Sequence, residues 1–388
     1  MKRFLLIFLI LLAAGLVYVD QILPARAERA RNVNLAFDLG SPSEAAQRLH
    51  ASLFVADMHT DSMLWKRDFL KRSDIGHMDV PRLHEGNIAL QVFSATTKSP
   101  AGQNYSRNSA DARDNITLLS VLSFWPPRTW ASIYERADFQ LERLKRYADA
   151  SDLELIRTSA DLRDLIERRA AGATPIGAVY LIEGAHPLEG DLANLDRLFD
   201  SGLRIAGLTH FFDNELGGSL HGTSGEGLTD FGRRVVERAN ELGVIIDIAH
   251  ASPAMVRDVL TLSTRPVVLS HGGLKGACDT PRNLDDALMR EFAAAGGLIG
   301  IGFWGAAVCD PSPAGVARSI RYAVDLLGIE HVALGSDYDG TVAVTFDASE
   351  LVHLTDALLD EGFSNDEVRA IMGENLQRFL LANLPQAL

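Results

Sequence analysis

From residue 43 onward, short runs of apolar and β-branched residues alternate with longer stretches that have helical spacing. The runs are continuously apolar, which is typical of strands covered on both faces and therefore of a parallel sheet. Eight runs are predicted as strands: Leu53–Asp57, Ile88–Ser94, Ile176–Ile182, Ile205–Leu208, Val244–Ile248, Val267–Leu269, Leu298–Phe303 and Val332–Leu334. Eight strands alternating with helices predict a (β/α)8 TIM-type barrel of the α/β class. A doubly wound open sheet is the alternative.

The stretches between the strands have the apolar spacing of amphipathic helices. They are Ser109–Ser123, Trp130–Asp149, Ser159–Ala171, Thr229–Leu242, Pro253–Leu262, Leu284–Ala295 and Ala314–Leu327. Ser252-Pro253 is a helix cap followed by a first-turn proline, and Ser364 with Glu367 forms a capping box. The segment between the second and third strands, about 80 residues long, is too long for a simple connection. We therefore predict a single barrel domain over residues 43–385, with extra helices inserted between strands 2 and 3.

Residues 1–32 form a separate unit at the start of the chain. Lys2 and Arg3 precede the uncharged run Phe4–Val19, which is typical of an export signal. The length of the run lies between that of a signal peptide and that of a membrane span, so a cleaved signal peptide and a retained membrane anchor both remain open. The positive charge before the run predicts that the rest of the chain crosses the cytoplasmic membrane. The expected location is the periplasmic or extracellular face, membrane-anchored or secreted.

The charge balance excludes some classes of partner. The chain has 37 Lys+Arg and 51 Asp+Glu, a formal net charge of −14. An acidic chain without a basic run does not favour nucleic acid, whose binding depends largely on neutralising phosphates. Two cysteines, Cys278 and Cys309, are too few for a disulfide scaffold or a cysteine-rich zinc module. The sequence leaves open whether these two pair.

Polar residues follow most of the predicted strands at their carboxyl ends. They are Asp57, His59, Asp61, Glu183, His186, His210, Asp247, His250, His271, Asp337 and Asp339. In a parallel barrel these ends open on one face, so the side chains are expected to converge at a single mouth. Buried charges brought together in this way need a compensating cation.

Histidine and carboxylate ligands without a thiolate favour zinc or a similar divalent ion. His59 and Asp61 have strand spacing, i and i+2, which places both side chains on one face. Two ions that share a carboxylate would use the five ligands that the sequence offers. Those five are His59, Asp61, Glu183, His250 and His271.

The motifs around these residues resemble the membrane dipeptidase (renal dipeptidase, peptidase M19) family from about residue 50 to 380. The matching motifs are DMHTDSMLW, YLIEGAHPL, LTH, GLTDFGRRVVERANELGVIIDIAHAS, VVLSHGG, RNLDD and LGSDYDG. The resemblance implies a (β/α)8 barrel with two zinc ions, and a homodimer. It further implies that His59 and Asp61 bind one ion, that His250 and His271 bind the other, that Glu183 bridges them, that His210 and Arg282 contact substrate, and that Asp337 handles protons.

This reading predicts a zinc-dependent dipeptidase in which a hydroxide bridging the metal ions attacks the peptide bond. His210 would stabilise the oxyanion, Asp337 would transfer the proton, and Arg282 would bind the free carboxylate of the dipeptide. A D-residue at the carboxyl end is compatible with this scheme. Some relatives also hold that carboxylate with a tyrosine, but none lies between Arg282 and Tyr322. Carboxylate recognition is therefore expected to depend mainly on Arg282.

Two alternatives belong to other functional classes. The first is another binuclear metal-dependent amidohydrolase that opens lactones, cyclic amides or phosphoesters on the same barrel. Many such enzymes bridge their metals with a modified lysine, and Glu183 at the bridging position counts against this alternative. The second is a metal-binding scaffold without turnover, for which loss of Asp337 or of a ligand would be expected. For Phe303-Trp304, a wall of the substrate site and a place in the core both remain open.

Overall fold

The computed structural model describes residues 22–387, together with Phe4 and Gly15. Most of the apolar run at Phe4–Val19, predicted as a signal peptide or anchor, therefore lies outside the described residues. Within the part that is described, no helix combines the length and apolarity needed to cross a membrane.

Eight parallel strands form the centre of the molecule. They are β1 (Val55–Thr60), β2 (Ile88–Thr96), β3 (Ile176–Glu183), β4 (Leu203–Gly207), β5 (Ile245–Asp247), β6 (Val268–Gly272), β7 (Leu298–Ile301) and β8 (Val332–Leu334). Each strand pairs with its neighbours in chain order, and β8 pairs with β1, so the sheet closes on itself. Closure confirms the predicted (β/α)8 barrel and shows that the open doubly wound sheet is wrong.

The barrel strands are buried along their whole length, as their continuous apolar runs predict. Side chains from alternate positions fill the barrel interior, while the others pack beneath the surrounding helices. The carboxyl ends of all eight strands therefore open at one face, which we call the mouth.

The helices around the barrel include all seven that the sequence predicted, together with others that it did not predict. They are α1 (Leu23–Arg29), α2 (Glu44–His50), α3 (Val80–Glu85), α4 (Asn115–Leu122), α5 (Ile133–Ala148), α6 (Ser159–Ala170), α7 (Ala193–Ser201), α8 (Asp230–Leu242), α9 (Pro253–Leu262), α10 (Asp286–Ala294), α11 (Gly305–Val308), α12 (Pro313–Leu327), α13 (Val352–Asp360), α14 (Asn365–Arg369) and α15 (Asn375–Asn383). Ser252 caps α9, and Ser364 forms the predicted capping box with Glu367. The helix predicted from Ser109 begins only at Asn115, because the Asp114 side chain caps it there.

The long segment between β2 and β3 contains the extra elements that the sequence predicted. Helices α4, α5 and α6 lie in it, and a short strand, Leu153–Leu155, pairs with the start of β3. The part before α4 passes over the mouth, where Asn108 donates two hydrogen bonds to the carbonyl oxygen of His221 in the loop after β4. This inserted segment therefore supplies one wall of the mouth.

The chain before the barrel is attached to the same face. Val33–Asn34 pairs in parallel with Ala343–Val344 in the loop after β8. In α1, the buried Glu28 forms an ion pair with Arg67 after β1, and Arg67 also contacts Asp339 after β8. The segment from α1 to residue 34 is therefore integrated into the rim of the mouth.

Candidate active site

Strand ends position all the predicted site residues except Arg282, which lies in the loop after β6. His59 and His271 are the second-to-last residues of β1 and β6, and Glu183 is the final residue of β3. His210, His250 and Asp337 each lie three residues beyond the end of their strand: β4, β5 and β8, respectively. His250 and Asp337 have positive φ angles of 63° and 59°, a conformation that non-glycine residues rarely adopt. Both turns aim their side chains back across the mouth.

Glu183 is at the centre of the cluster. Its Oε1 lies 3.2 Å from His250 Nε2, 3.3 Å from His271 Nε2 and 3.6 Å from His59 Nε2. Its Oε2 lies 3.5 Å from His210 Nε2. One carboxylate thus faces four imidazoles, which is the arrangement expected of a ligand shared between two metal positions.

Asp61 and Asp337 complete the cluster on the β1 and β8 side. Their Oδ1 atoms lie 3.8 Å and 4.0 Å from His59 Nε2. The ligand atoms form three groups, each spanning no more than 4.8 Å: His59–Glu183–His271, Glu183–His210–His250 and His59–Asp61–Asp337. The structure therefore brings the five expected ligands together with His210 and Asp337, although it divides His250 and His271 between two groups.

The donor chemistry fits a divalent metal centre. Every group in the cluster is buried, and His59 Nε2 has no hydrogen-bond partner within the described residues. His250 Nε2 and His271 Nε2 face each other at 2.9 Å. Imidazole nitrogens and carboxylate oxygens that converge without a thiolate suit zinc or a similar ion.

Burial determines the charge state of the histidines. It lowers the pKa of His59 to about 4 and the pKa values of His250 and His271 well below the usual value. These imidazoles are therefore neutral at physiological pH, which is the form that binds metals.

The carboxylates repel one another in the same space. Burial and the charge of Glu183 raise the pKa of Asp61, and burial with the charges of Asp61 and Glu183 raises that of Asp337. Burial would also raise the pKa of Glu183, but interactions with His210, His59 and His271 lower it below the ordinary value. A bound cation would remove this repulsion and favour the ionised carboxylates.

Ser270 fixes the tautomers of two histidines. Its hydroxyl donates to Asp247 Oδ2 at 2.6 Å, so its oxygen can only accept from the two imidazoles that approach it. His59 Nδ1 lies 3.1 Å and His271 Nδ1 lies 2.9 Å from that oxygen. Both Nδ1 atoms must carry the proton, which leaves both Nε2 lone pairs free to face the cluster.

Thr96 connects two of the carboxylates. Its hydroxyl oxygen lies 2.8 Å from Asp61 Oδ1 and 2.8 Å from Glu183 Oε2. A hydroxyl has one proton to donate, so it holds the two carboxylates in place without satisfying both. The remaining lone pairs are left for another ligand, as a metal site requires.

Arg282 lies at the side of the cluster. Its guanidinium is buried, donates from Nη2 to the carbonyl oxygen of His271 at 2.5 Å, and lies 5.5 Å from the ring of Trp304. Trp304 Nε1 in turn donates to the phenol oxygen of Tyr105 at 3.0 Å. Phe303 packs in the core against Tyr338, and Trp304 is also buried in the core, where it contacts Arg282 and Tyr105 from behind the cavity.

A disulfide joins the two loops beside Arg282. Cys278 and Cys309 are bonded, with their Cα atoms 5.5 Å apart. Asn283 reinforces the connection by donating to the carbonyl oxygens of Cys278 and Ala307 at 2.9 and 2.8 Å. The pairing that the sequence left open is thus settled, and it anchors the loop that carries Arg282.

A small cavity of about 40 Å³ opens above the cluster. Seven of the eight predicted site residues line it: Asp61, Glu183, His210, His250, His271, Arg282 and Asp337. His59 lies beneath, fully buried. Tyr105, Thr96 and Phe211 also contribute to the lining.

The sequence matches a known protein family over most of its length. The sequence model described as "Membrane dipeptidase (Peptidase family M19)" matches residues 43–383. The chain belongs to the membrane dipeptidase family. It is therefore a dipeptide-hydrolysing enzyme of the metallopeptidase class, as the motifs predicted.

The chain is also similar to curated and solved proteins. Dipeptidase verJ of Clonostachys rogersoniana is 28% identical over 317 residues, which cover 79% of this chain and 76% of that protein. The probable dipeptidase PvdM from Pseudomonas aeruginosa has a TM-score of 0.73 at 20% identity, covering 88% of this chain and 98% of that one. A metallopeptidase from Rhodobacter sphaeroides, liganded with a phosphinate mimic of the dipeptide L-Ala-D-Ala, has a TM-score of 0.67 at 24% identity, covering 86% and 99%. The two structures show that the fold is shared.

Sequence reasoning missed several residues that this membrane dipeptidase places in or under its site. Thr96 and Ser270 are ordinary strand residues, and Tyr105 lies in an insertion without a motif. Ser270 directly precedes a predicted ligand, and Asp247 was already expected at the mouth, so the position of Ser270 was the available signal for a supporting role. Nothing in the sequence indicates that Tyr105 reaches Trp304, because that contact spans 199 residues.

Proposed function

We propose that this membrane dipeptidase is a zinc enzyme with two ions per chain that cleaves dipeptides with a free carboxyl end. The observation that carries the proposal is the convergence of histidines and carboxylates on Glu183, with a buried arginine at the edge of the same cavity. The converging histidines and carboxylates supply a site for two cations, and the buried arginine supplies a partner for the carboxylate of a short substrate.

His59 and Asp61 would hold one ion, His250 and His271 would hold the other, and Glu183 would be shared. When bound, such ions lower the pKa of a water molecule towards about 7 and polarise the carbonyl oxygen of a substrate. Ser270, Asp247 and Thr96 orient the ligands through the hydrogen bonds described above.

Arg282 would bind the substrate carboxylate and so place the scissile bond over the cluster. His210 would donate from Nε2 to the developing oxyanion. Its Nδ1 lies 3.0 Å from the carbonyl oxygen of Lys98, which can only accept, so donation from Nε2 requires the doubly protonated ring. Asp337 would take the proton of the attacking water and deliver it to the leaving amine.

We also propose that the substrate range includes a D-residue at the carboxyl end. The support is the Rhodobacter sphaeroides structure, whose ligand mimics L-Ala-D-Ala. Paired assays with L,L- and L,D-dipeptides test this point directly.

We propose further that residues 4–19 attach the enzyme to the outer face of the cytoplasmic membrane. The apolar run with its preceding charges supports export, and a disulfide is typical of an oxidising compartment. Retention of the segment is supported by the packing of α1, in which Pro24 near its start and Glu28 near its end are both buried. The homodimer remains a prediction from family resemblance.

The test uses the full-length protein purified in detergent. Its metal content is measured, and L,L- and L,D-dipeptides are assayed before and after chelation and zinc addition. We expect two zinc ions per chain and hydrolysis that chelation abolishes. Fewer than two ions together with no dipeptide hydrolysis would contradict the proposal, and cleavage of a lactone or phosphoester instead would favour the alternative amidohydrolase.

Two substitutions separate the assigned roles. Asp337→Asn should lower kcat by about 10²–10⁴-fold without loss of metal, because it removes proton transfer only. Asp79→Asn is the matched control, since Asp79 is equally buried but caps α3 outside the cluster. Glu183→Gln should lose both activity and bound metal. Full activity with both ions retained would refute the bridging role.

A further inference from the structure

An apolar groove adjoins the catalytic cavity at the mouth. Its volume is about 150 Å³, against about 40 Å³ for the cavity over the cluster. Four residues line both spaces: Leu64, Ser99, Ile116 and Thr341. The groove is therefore a lateral extension of the site and not a separate depression on the surface.

The rest of the groove is formed by two helices from different parts of the chain. Leu118, Leu119 and Leu122 of α4 form one wall, and Ala27 of α1 with Arg31 forms part of the other. Arg31 is the one charged residue among the described residues that line it, and its side chain is exposed. Ser99, Asn115 and Thr341 add polar groups, but most of the lining is apolar and is chemically suited to a hydrocarbon group.

The groove lies across the mouth from Arg282. Leu64 follows β1, Ser99 and Ile116 follow β2, and Thr341 follows β8, whereas Arg282 follows β6. In a closed barrel with its eight strands in sequential order, β2 lies opposite β6. A dipeptide whose carboxylate is held by Arg282 therefore extends its amino-terminal residue towards the groove.

The volume limits the group that fits. An apolar cavity of about 150 Å³ is large enough to hold a benzene molecule. A group of about six carbons would fill the groove, whereas a methyl group would leave most of it to water. The catalytic cavity itself is too small to hold such a group.

Resting on the proposed function, we infer that the groove is a subsite for a large apolar group on the amino side of the scissile bond. The group is either the side chain of the amino-terminal residue or an acyl chain on its nitrogen, and the two share the same chemistry. The enzyme then selects dipeptides by a surface to which its own amino-terminal helix contributes.

The experiment compares kcat/KM for phenylalanyl-alanine, leucyl-alanine, glycyl-alanine and N-hexanoyl-glycyl-alanine on the full-length zinc-loaded protein. Mass spectrometry of the intact protein first confirms that α1 is present. We expect the substrates with a large apolar group to be favoured over glycyl-alanine by about tenfold to hundredfold, as burial of such a group implies. Comparison of phenylalanyl-alanine and leucyl-alanine with N-hexanoyl-glycyl-alanine shows whether the groove accepts the amino-terminal side chain or an acyl chain.

Substitutions in the groove test whether the preference for apolar substrates depends on it. Ala27→Leu fills it from α1, and Leu118→Glu puts a charge on its half-exposed wall. Each should reduce the apolar preference to near one by lowering kcat/KM for the substrates with a large apolar group. Ala30→Leu is the matched control, because Ala30 is exposed just after the same helix and does not line the groove.

The outcomes separate this inference from the proposed function. Equal kcat/KM for all substrates, or a preference that survives both groove variants, would overturn the subsite while leaving the dipeptidase activity established. No hydrolysis of any probe would overturn the proposed function, and the subsite with it.

Discussion

The disulfide between Cys278 and Cys309 offers a quantitative test of how the loop with Arg282 is held. The two cysteines are 31 residues apart in sequence. In the chain-entropy estimate, a bond that closes a loop of about 32 residues stabilises the folded state by about 4 kcal/mol at 25 °C. A protein of this size unfolds with an entropy of about 0.8 kcal/mol/K, so the double variant Cys278→Ala/Cys309→Ala should melt about 5 °C lower.

The same variant should affect substrate binding more than chemistry. The bond joins the loop after β6 to the loop after β7, and Asn283 next to Arg282 donates to both loops. Loosening this connection disorders the carboxylate partner, so KM should rise several-fold with little change in kcat.

Differential scanning calorimetry at one scan rate measures the first effect, and steady-state kinetics on one dipeptide measures the second. The wild-type protein treated with a reductant provides a matched comparison without substitution. A melting temperature within 1 °C of wild type would refute the entropy argument. A lower melting temperature with an unchanged KM would show that the bond stabilises the fold without positioning Arg282.

Two further predictions concern buried polar groups. Burial lowers the pKa of His50 to about 4, below the ordinary 6.5, so the unfolded chain binds more protons between these pH values and stability falls as pH decreases through this window. Between pH 7.5 and pH 5, the free energy of unfolding should therefore fall by about 2 kcal/mol less in His50→Gln than in the wild-type protein. Thermal unfolding of both proteins across this pH range measures the difference, and the same pH dependence in both would contradict the prediction. Thr96→Val should weaken metal binding by about 10–100-fold in competition with a chelator, because Asp61 and Glu183 lose their shared donor. Thr97→Val is its control, since the hydroxyl of Thr97 is buried without a hydrogen-bond partner among the described residues, and equal effects would refute the role of Thr96.

Local patterns were sufficient to predict the barrel and which residues meet at its mouth. A continuous apolar run of three to seven residues marks a strand buried on both faces, and each of the eight was found in the closed sheet. Because parallel strands end on the same face, residues such as Glu183 and His271 could be placed together without knowing any distance. Helix ends were predicted less well, since the cap at Asp114 competes with equally plausible starts upstream.

Residues that act through distant partners could not be predicted in this way. Ser270 accepts from His59, which is 211 residues away, and Thr96 donates towards Glu183, which is 87 residues away. Serine and threonine are common in strands, so their types carry no signal of these roles. Pairing of Cys278 with Cys309 likewise required the two loops to be placed beside each other.

The sequence by itself determined the barrel, the family and the set of groups that meet at the mouth, because strand burial and strand ends follow from residues close together in the chain. Only the tertiary structure decided which atoms face one another: the four imidazoles on Glu183, the tautomers set by Ser270, the disulfide beside Arg282, and the groove between α1 and α4. The physical reason is that hydrogen-bond direction and cavity shape depend on atoms brought within a few ångströms by closure of the barrel. That closure joins segments separated by up to 279 residues, as in the contact between Asp57 and Ser336.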